Sequence, residues 1–460
     1  MLFACSSTSE LDEELHEKHT PKQWSSSLLT ANIEENWFEQ LKNEQVHYLV
    51  TLALKNNFQL KQQALAIDIQ QQQLTIAGSA LWPSLDISLK NSRQKTINDD
   101  DNAANYGNNA SLGLNLQYEL DLWGKISDAE RQANLELMAQ QATFEQKKQQ
   151  LVADVITTWF SVIEANQLVA LYQQRSHNTQ QNLLIIESGY QQGLNSALDV
   201  YLTRNEVNNE LSRTSEQQAK KVLAIRKLEQ LLGQYPEGKL LVDADLPLLN
   251  SEIPLGLPSD LVSRKPELLA SWYQLLAKDA ALAYAHKQRF PSVSITASLS
   301  DNQQDISDLL STSSFGWSLL GNIAMPLFNA GKLEANEDMS RLVLKQTEQA
   351  YLSALYDAFG DVENSVTREA SLKERYQMML KAQENAIAAQ TLSFEQYQSG
   401  LVEYTTVLDA QSRSYDAQST VIQIKNQLIA NRINLHIALG GNFAASTSAE
   451  SSAQKTQSKE

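Results

Sequence analysis

The chain has 460 residues, of which 42% are hydrophobic, and a formal net charge of −17. An acidic chain without a basic stripe is not expected to bind nucleic acid, because nucleic-acid-binding surfaces concentrate Lys and Arg. The sequence has no apolar run long enough for a membrane-spanning helix, whereas a membrane-spanning strand needs only alternation over about ten residues. The single cysteine, Cys5, excludes an intrachain disulfide.

The N-terminal segment, residues 1–45, carries a lipoprotein-like feature. Cys5 stands in the sequence LFACS, which looks like the end of a bacterial lipoprotein signal, with Leu2 at the third position before the cysteine. The alternative is an ordinary free thiol, since the charged and apolar regions of such a signal do not precede it. We predict Cys5 as a lipidation site in a lipoprotein-type segment.

The remainder of the chain aligns with itself at an offset of 207 or 208 residues. PSLDI at Pro83 returns as PSVSI at Pro291, and YQQGL at Tyr190 returns as YQSGL at Tyr397. Matching anchors in one order indicate a tandem duplication. The predicted divisions are a first repeat 46–235, a proline-rich linker 236–258, a second repeat 259–441 and a disordered tail 442–460.

Each repeat has the same predicted elements in the same order. It begins with a helix, about 46–80 or 259–288, that runs up to an aromatic residue followed by proline. A β-hairpin follows, because apolar and polar residues alternate. In NASLGLNLQYELDLWGK every even position from Ala110 to Leu122 is apolar. The predicted β-hairpins are 84–122 and 292–328.

After each β-hairpin the pattern changes to that of a helix. Apolar residues fall at heptad-like spacing, and no strong breaker occurs until a glycine turn at Gly193 or Gly400. A second long helix follows each turn, which predicts two antiparallel helical hairpins. Their predicted bounds are 125–233 and 331–440.

Four strands per chain are too few for a closed membrane barrel. Spanning barrels begin at about eight strands, and lipid tolerates no open sheet edge. The strands must therefore be pooled between copies of the chain. Two copies leave almost no pore, so the sequence favours a trimer with about twelve strands.

These features together resemble the outer membrane factors of tripartite efflux systems, the TolC- and OprM-like group, and within it the NodT-type lipoproteins. The resemblance covers about residues 35–441 and rests on the duplicated layout, on the setting of Cys5 and on four sequence motifs. The motifs are DLWGK with its counterpart PLFNAGK, SRKPEL, YQQGLNSALDV and YQSGLVEYTTVLDAQ.

The resemblance implies an α+β membrane protein. Its trimeric twelve-stranded β-barrel, with four strands per chain, would continue into a long antiparallel α-helical tube in the periplasm. Loops 92–108 and 300–313 would face the cell exterior, and the turns at Gly193 and Gly400 would lie at the periplasmic tip. The protein would be a lipid-anchored lipoprotein of the Gram-negative outer membrane.

The function implied by the resemblance is transport. The chain would be the passive exit channel of a multidrug-type efflux pump, working with a periplasmic adaptor and an inner membrane pump of the resistance-nodulation-division type. Six dispersed Met residues favour organic substrates over metal ions. No enzyme, cofactor or metal site is expected, because the sequence has neither a metal-type His pair nor a phosphate-binding glycine loop. The alternative is a soluble coiled-coil adaptor or structural rod.

The resemblance also places a periplasmic gate in the second turn. By position, Tyr397 and Asp409 match the gate tyrosine and aspartate of the family, whereas the gate arginine is replaced by Ser412 with Arg413 beside it. Asp199 and Arg204, in the helix after the first turn, are weaker candidates. Three copies of Asp409 near one axis would repel each other and attract cations, although a solvated helix charge is the alternative.

Two further groups of residues are candidates for function. Tyr190, Gly193 and Gly400 mark the turns expected to dock the adaptor, while the tolerance of glycine for positive φ gives a purely structural reason for the glycines. Trp82, Trp123 and Trp317 lie near predicted strand ends. They are candidates for an aromatic belt at the membrane interface, and burial between strands and helices is the alternative.

Overall fold

The computed structural model describes residues 15–25, 44–97, 104–240, 242, 244–248, 256–310 and 315–441. The predicted lipidation site Cys5 and the predicted tail 442–460 lie outside the described residues. The helices are α1 Leu15–His19, α2 Glu44–Asn56, α3 Phe58–Ser79, α4 Lys125–Gln191, α5 Ala197–Leu231, α6 Pro258–Arg264, α7 Pro266–Lys287, α8 Lys332–Gln398 and α9 Tyr404–Ala438. The strands are β1 Ser84–Ile97, β2 Ala104–Leu120, β3 Ser292–Gln303 and β4 Phe315–Ala324.

The two repeats contain the same long helices. α4 and α8 are each 67 residues long, and α5 and α9 are each 35 residues long. At 1.5 Å per residue, α4 and α8 each extend about 100 Å. We call α4 with α5 the first helical hairpin, and α8 with α9 the second helical hairpin. Among the described helices, none combines the length and the hydropathy needed to cross a lipid bilayer.

The helix that opens the first repeat is interrupted, so the prediction of one continuous helix over 46–80 is wrong. Asn57 separates α2 from α3. Its Oδ1 accepts a hydrogen bond from the backbone N–H of Leu60 at 3.0 Å, which caps the first turn of α3. Its Nδ2 donates to the carbonyl of Leu231 at 2.9 Å. Asn57 therefore ties the break to the end of α5.

The helix that opens the second repeat is also interrupted, and the continuous helix predicted over 259–288 is wrong for a different reason. Pro266 begins α7, and Lys265 before it has the extended conformation that precedes proline, with φ −74° and ψ 113°. The second predicted β-hairpin is also shorter than expected. Its last strand, β4, ends at Ala324 rather than at residue 328.

The strands form one antiparallel sheet in the order β1-β2-β3-β4. The alternation predicted from the sequence sets the register, because Leu85 faces Leu116 and Leu89 faces Leu112 across β1 and β2. Leu116 in turn faces Ala297 of β3. The apolar residues therefore lie on one face of the sheet, and β1 and β4 are its edges.

The chain divides into two compact units. The first includes Leu65–Ala142 and Leu269–Ser353, and so contains the sheet. Within it, the rings of Trp272 in α7 and Tyr351 in α8 pack with centroids 5.4 Å apart. Lys287 Nζ lies 2.6 Å from the carboxylate of Asp128, which joins the end of α7 to the start of α4.

The second unit includes His16–Ala64, Thr143–Leu268 and the chain from Ala354 onward. Its core gathers around Trp159 of α4, which is completely buried. Side chains of α2, α4, α5 and α9 pack together there. Among them are Val46, Leu49, Ile156, Phe160, Leu228 and Ile433. The amphipathic spacing read from the sequence thus places one stripe of each helix in this core.

Candidate functional site

The first turn, between α4 and α5, requires glycine at two positions. Gly193 has φ +74°, a conformation that L-residues other than glycine rarely adopt. A Cβ on Gly189 would lie 2.3 Å from the side-chain nitrogen of Asn195. That nitrogen donates to the carbonyl of Ile186 at 3.1 Å, so Asn195 closes the turn against the last part of α4.

Asp199, a predicted gate residue, lies in the first turn of α5 and caps it. The backbone N–H of Asp199 donates to Ser196 Oγ at 3.1 Å, and the backbone N–H of Ser196 donates to the Asp199 carboxylate at 3.1 Å. This reciprocal pair is a capping box, and the carboxylate also complements the positive end of the helix dipole. The carboxylate of Asp199 thus has a local structural role that the gate prediction did not include.

An ion pair further fixes the first hairpin near its turn. Arg204 of α5 donates from Nε and Nη2 to Glu187 Oε1 of α4, at 2.9 and 2.8 Å. One repeat later, Phe394 and Gln411 occupy the corresponding positions. Neutral residues in these places cannot form the same ion pair across the second turn.

The second turn, between α8 and α9, has the same backbone but a different cap. Gly400 has φ +71°, and the N–H of Leu401 donates to the carbonyl of Gln396 at 2.9 Å. The residue that caps α9 is Glu403, which makes no side-chain hydrogen bond to the helix. The start of α9 is therefore less firmly capped than the start of α5.

An apolar cluster, which we call the tip cluster, joins the two hairpins beside these turns. Its buried members are Ile186, Val200, Tyr404 and Val407, and Phe394, Tyr397 and Leu408 pack against them. The rings of Tyr397 and Tyr404 have centroids 5.2 Å apart. The tip cluster therefore holds the predicted gate residue Tyr397 between the hairpins.

Burial changes the protonation behaviour of both tyrosines. Burial raises the pKa of Tyr404 to about 12. It also raises the pKa of Tyr397, and the negative charge of Asp199 adds to that effect. The sequence prediction missed Tyr404. Its only signal was an aromatic residue directly after the second turn, a pattern that is shared by many structural core positions.

The other two predicted gate residues lie on the exposed face of α9. Arg413 Nε donates to Asp409 Oδ2 at 2.9 Å, and the two side chains are 74% and 63% exposed. This hydrogen bond raises the pKa of Arg413. The pair joins positions i and i+4 of one helix, so within a single chain Arg413 neutralises Asp409. A pair this exposed contributes little to stability.

The residues predicted for adaptor docking lie at the surface of the two turns. Tyr190 is about half exposed, and Leu194 and Leu401, which follow the turn glycines, are 76% and 74% exposed. A Cβ on Gly193 or Gly400 would have no atom within 4 Å. Each turn therefore presents a bare glycine next to an exposed leucine.

The predicted interface tryptophans differ in their surroundings. Trp82 and Trp317 are mostly exposed. Trp123 is partly exposed, and its Nε1–H donates to the carbonyl of Pro291 at 2.6 Å while its ring meets Phe290 edge-on at 5.7 Å. Trp123 therefore ties the end of β2 to the start of β3. In the part of the chain that the structure describes, no group of three His, Cys, Asp or Glu residues is arranged to hold a metal ion.

The duplicated helical hairpins, the four-stranded sheet and the paired glycine turns match the single-chain layout that the sequence resemblance implies. The chain belongs to the outer membrane efflux protein family, whose sequence profile matches residues 49–234 and 257–441. It is an outer membrane efflux channel that extends into the periplasm, and it is not an enzyme, as the sequence predicted. The soluble adaptor or rod is thereby set aside.

The chain is similar to relatives from several bacteria. It is 28% identical over 411 residues to the solvent efflux pump outer membrane protein SrpC of Pseudomonas putida, covering 89% of this chain and 87% of that protein. It is 28% identical over 421 residues to the cation efflux system protein CusC of Escherichia coli O6:H1, covering 88% of each. SrpC is named as the outer membrane protein of a solvent efflux pump, and CusC as a protein of a cation efflux system.

The fold is that of solved efflux channels. The crystal structure of the CmeC outer membrane channel of Campylobacter jejuni matches with a TM-score of 0.84 and 24% identity, covering 97% of this chain and 95% of that one. The fold predicted from the sequence for the single chain is confirmed: a tandem repeat with long antiparallel helical hairpins and a four-stranded sheet.

Proposed function

We propose that three copies of this chain form a passive exit duct whose sheets join edge to edge into a closed twelve-stranded wall in the outer membrane. The observation that supports this arrangement is the sheet itself. Among the described residues, β1 pairs only with β2 and β4 only with β3, so each has one open edge. Apolar residues of both strands, such as Ile87 and Leu319, are largely exposed. Lipid covers such an apolar face, but it does not tolerate an open edge.

The duct is closed at rest by the second helical hairpin. Asp409 and Arg413 lie on an exposed face of α9, free to meet the same face of a neighbouring copy. Tyr397 packs in the tip cluster. The weaker cap of α9 supports the assignment of the gate to this hairpin, because the first hairpin is fixed by Asp199 and by the Arg204–Glu187 pair.

Single-channel recording in planar lipid bilayers tests the gate. We expect the wild-type trimer to conduct weakly and to prefer cations, and we expect Asp409→Ala to reduce that preference and increase conductance. Asp416→Ala, a change at another acidic position of α9, is the matched control. If Asp409→Ala and Asp416→Ala both leave conductance and selectivity as in the wild type, Asp409 does not line the gate.

The two glycine turns dock the hairpin tips of the periplasmic adaptor. Leu194 and Leu401 supply exposed apolar contacts, and Gly193 and Gly400 leave room for close approach of a partner backbone. Gly400→Asp is expected to abolish copurification with the adaptor and to remove resistance. Leu401→Ala tests the contact without strain in the turn. If both variants retain adaptor binding, the turns serve the fold alone.

The lipid anchor and the interface aromatics position the trimer. Cys5 is the lipidation site, and Cys5→Ser is expected to prevent incorporation of labelled palmitate. Trp82 and Trp317, with their exposed rings, lie at the level of the lipid headgroups, and Trp123 lies at the junction of strands and helices. Palmitate incorporation by the Cys5→Ser variant would show that another group carries the lipid.

The substrates are small organic compounds, exported with an inner membrane pump of the resistance-nodulation-division type. The names of the relatives differ on this point, because SrpC is named for solvents and CusC for cations, at equal identity to this chain. The dispersed methionines support the organic class. Deletion of the gene is expected to sensitise the bacterium to solvents and hydrophobic antibiotics. Sensitisation to copper or silver alone would contradict this assignment.

A further inference from the structure

The first helical hairpin contains a buried arginine away from its turn. Arg175 of α4 is 1% exposed, and its Nη2 donates to Glu210 Oε1 of α5 at 2.7 Å. Arg213, also of α5, donates to the same carboxylate oxygen at 2.7 Å. A buried cation with only one carboxylate partner is costly unless further contacts compensate for the loss of water.

Two aromatic rings provide the compensation. The guanidinium carbon of Arg175 lies 4.5 Å from the ring centroid of Tyr172 in α4 and 4.5 Å from that of Tyr415 in α9. Both distances are well within the range of a cation–π contact, which strengthens when water is excluded. Arg175 is thus stacked between the two rings, and it links the first helical hairpin to α9 of the second.

The link to α9 is made by a ring face and not by a directional bond from the guanidinium. Among the described residues, Nε and Nη1 of Arg175 have no hydrogen-bond partner, so no directional bond runs from the guanidinium to α9. The nearest directional contact is a long one, from Asn178 Nδ2 to the Tyr415 hydroxyl at 3.4 Å. A ring face tolerates a small shift of the cation, but its attraction weakens as the ring moves off the guanidinium, so the stack favours the position that α9 has in this structure.

The position of this contact relates it to the tip. Tyr415 lies eleven residues after the first residue of α9, so the stack is about 16 Å along the helix from its start. In the second repeat, the positions equivalent to Arg175 and Glu210 are Ala382 and Ala417. The buried pair of Arg175 and Glu210 therefore occurs in the first repeat and has no equivalent at these positions of the second.

We infer that Arg175 is a positioning residue for the gate: through its stack on Tyr415 it acts as a pivot, about which the start of α9 moves while the helices stay together. This inference rests on the proposed function, because it concerns how the proposed gate is held. Loss of the stack removes support from the closed tip, so spontaneous openings increase.

The test compares variants of the full-length trimer in planar lipid bilayers. Tyr415→Leu removes the stacking face, whereas Tyr415→Phe retains it and removes only the hydroxyl. We expect Tyr415→Leu and Arg175→Met to raise the fraction of time spent open on the order of tenfold, the scale of a lost desolvated cation–π contact, with Tyr415→Phe close to wild type.

A second buried ion pair provides the matched control. Arg432 of α9 pairs with Glu369 of α8 at 2.7 Å, within the second hairpin and away from the link between hairpins. Arg432→Met is expected to lower the melting temperature of the trimer without increasing openings. Equal open fractions for Tyr415→Leu and Tyr415→Phe would overturn the inference, as would an increase of the same size from Arg432→Met.

Three further outcomes bear on the inference, and the last two separate it from the proposed function. If Arg175→Met fails to assemble, the comparison of Tyr415→Leu with Tyr415→Phe decides the matter alone. If the wild type forms no pore, the proposed function fails and the inference fails with it. If the wild type conducts and Asp409→Ala alters the openings while Tyr415→Leu does not, only the pivot is refuted.

Discussion

Truncation of Tyr404 is expected to open the channel at its tip. Tyr404 is 1% exposed and lies in the tip cluster between Ile186 and Val200 of the first hairpin and Val407 of its own helix. In Tyr404→Ala the ring is lost from a site enclosed by apolar side chains. The two hairpins then have less contact at the place where the second turn is least firmly capped.

The size of the effect follows from the burial of the ring. Removal of a fully buried aromatic side chain costs about 3–5 kcal/mol in typical cores. If about a third of this loss is felt in the equilibrium between closed and open tips, the open population rises roughly tenfold, since 1.4 kcal/mol corresponds to a factor of ten. Tyr404→Phe keeps the ring contact with Tyr397 and is expected to remain closed at neutral pH.

The phenol adds a dependence on pH. Burial raises the pKa of Tyr404 from 10.0 to about 12, so the closed tip favours the neutral phenol. Its contribution to closure is complete below pH 10 and is lost as the pH rises from 10 to 12. The open fraction of the wild-type channel should therefore increase between pH 10 and pH 12. The part of this increase that comes from the Tyr404 phenol should be missing in Tyr404→Phe.

Two assays report the opening. Single-channel recording gives the open fraction directly, and uptake of a large hydrophilic antibiotic that an intact outer membrane excludes gives the effect in cells. Trimer yield and melting temperature of each variant control for misfolding. If Tyr404→Ala forms normal trimers with the open fraction and antibiotic exclusion of Tyr404→Phe, the tip cluster does not hold the channel closed.

Three further predictions concern the stability of the fold. Burial, and to a lesser extent the charge of Arg432, lowers the pKa of His436 from 6.5 to about 3. The neutral imidazole therefore contributes stability above pH 6.5, and this contribution is lost as the pH falls towards 3. The melting temperatures of the wild type and His436→Gln should diverge over that range, and parallel curves would contradict this prediction. Gly233→Ala should lower the melting temperature more than Gly193→Ala, because both glycines have positive φ but only the Cβ at 233 would lie 2.6 Å from a backbone oxygen; equal losses would refute the steric argument. Asp199→Ala should cost about 1 kcal/mol through the lost capping box, whereas Asp199→Glu, which keeps the capping-box pattern, should recover part of it in urea denaturation.

The sheet was predictable because its signal is local. Alternation from Ala110 to Leu122 identifies both the strand and its apolar face, and the register of β1 on β2 follows once apolar residues must share that face. The long helices were predictable for a similar reason, since heptad-like spacing and the distribution of proline both act over short stretches of chain.

The missed features depend on single side chains or on distant partners. Asn57 breaks a helical pattern by capping α3, and a polar residue within a regular pattern gives little warning of that. The role of Asp199 had a usable signal, since Ser196 and Asp199 have the spacing of a capping box. Arg175 had none, because its burial depends on Tyr415, which is 240 residues away in the chain.

The central claim is that three copies of this chain assemble into one duct that is closed at its periplasmic tip. Single-particle electron microscopy of the full-length protein in detergent tests it most directly. End-on views are expected to show threefold symmetry, an open lumen and a density constriction at the turns that carry Gly193 and Gly400. Monomeric particles, or threefold particles with no constriction at those turns, would contradict it.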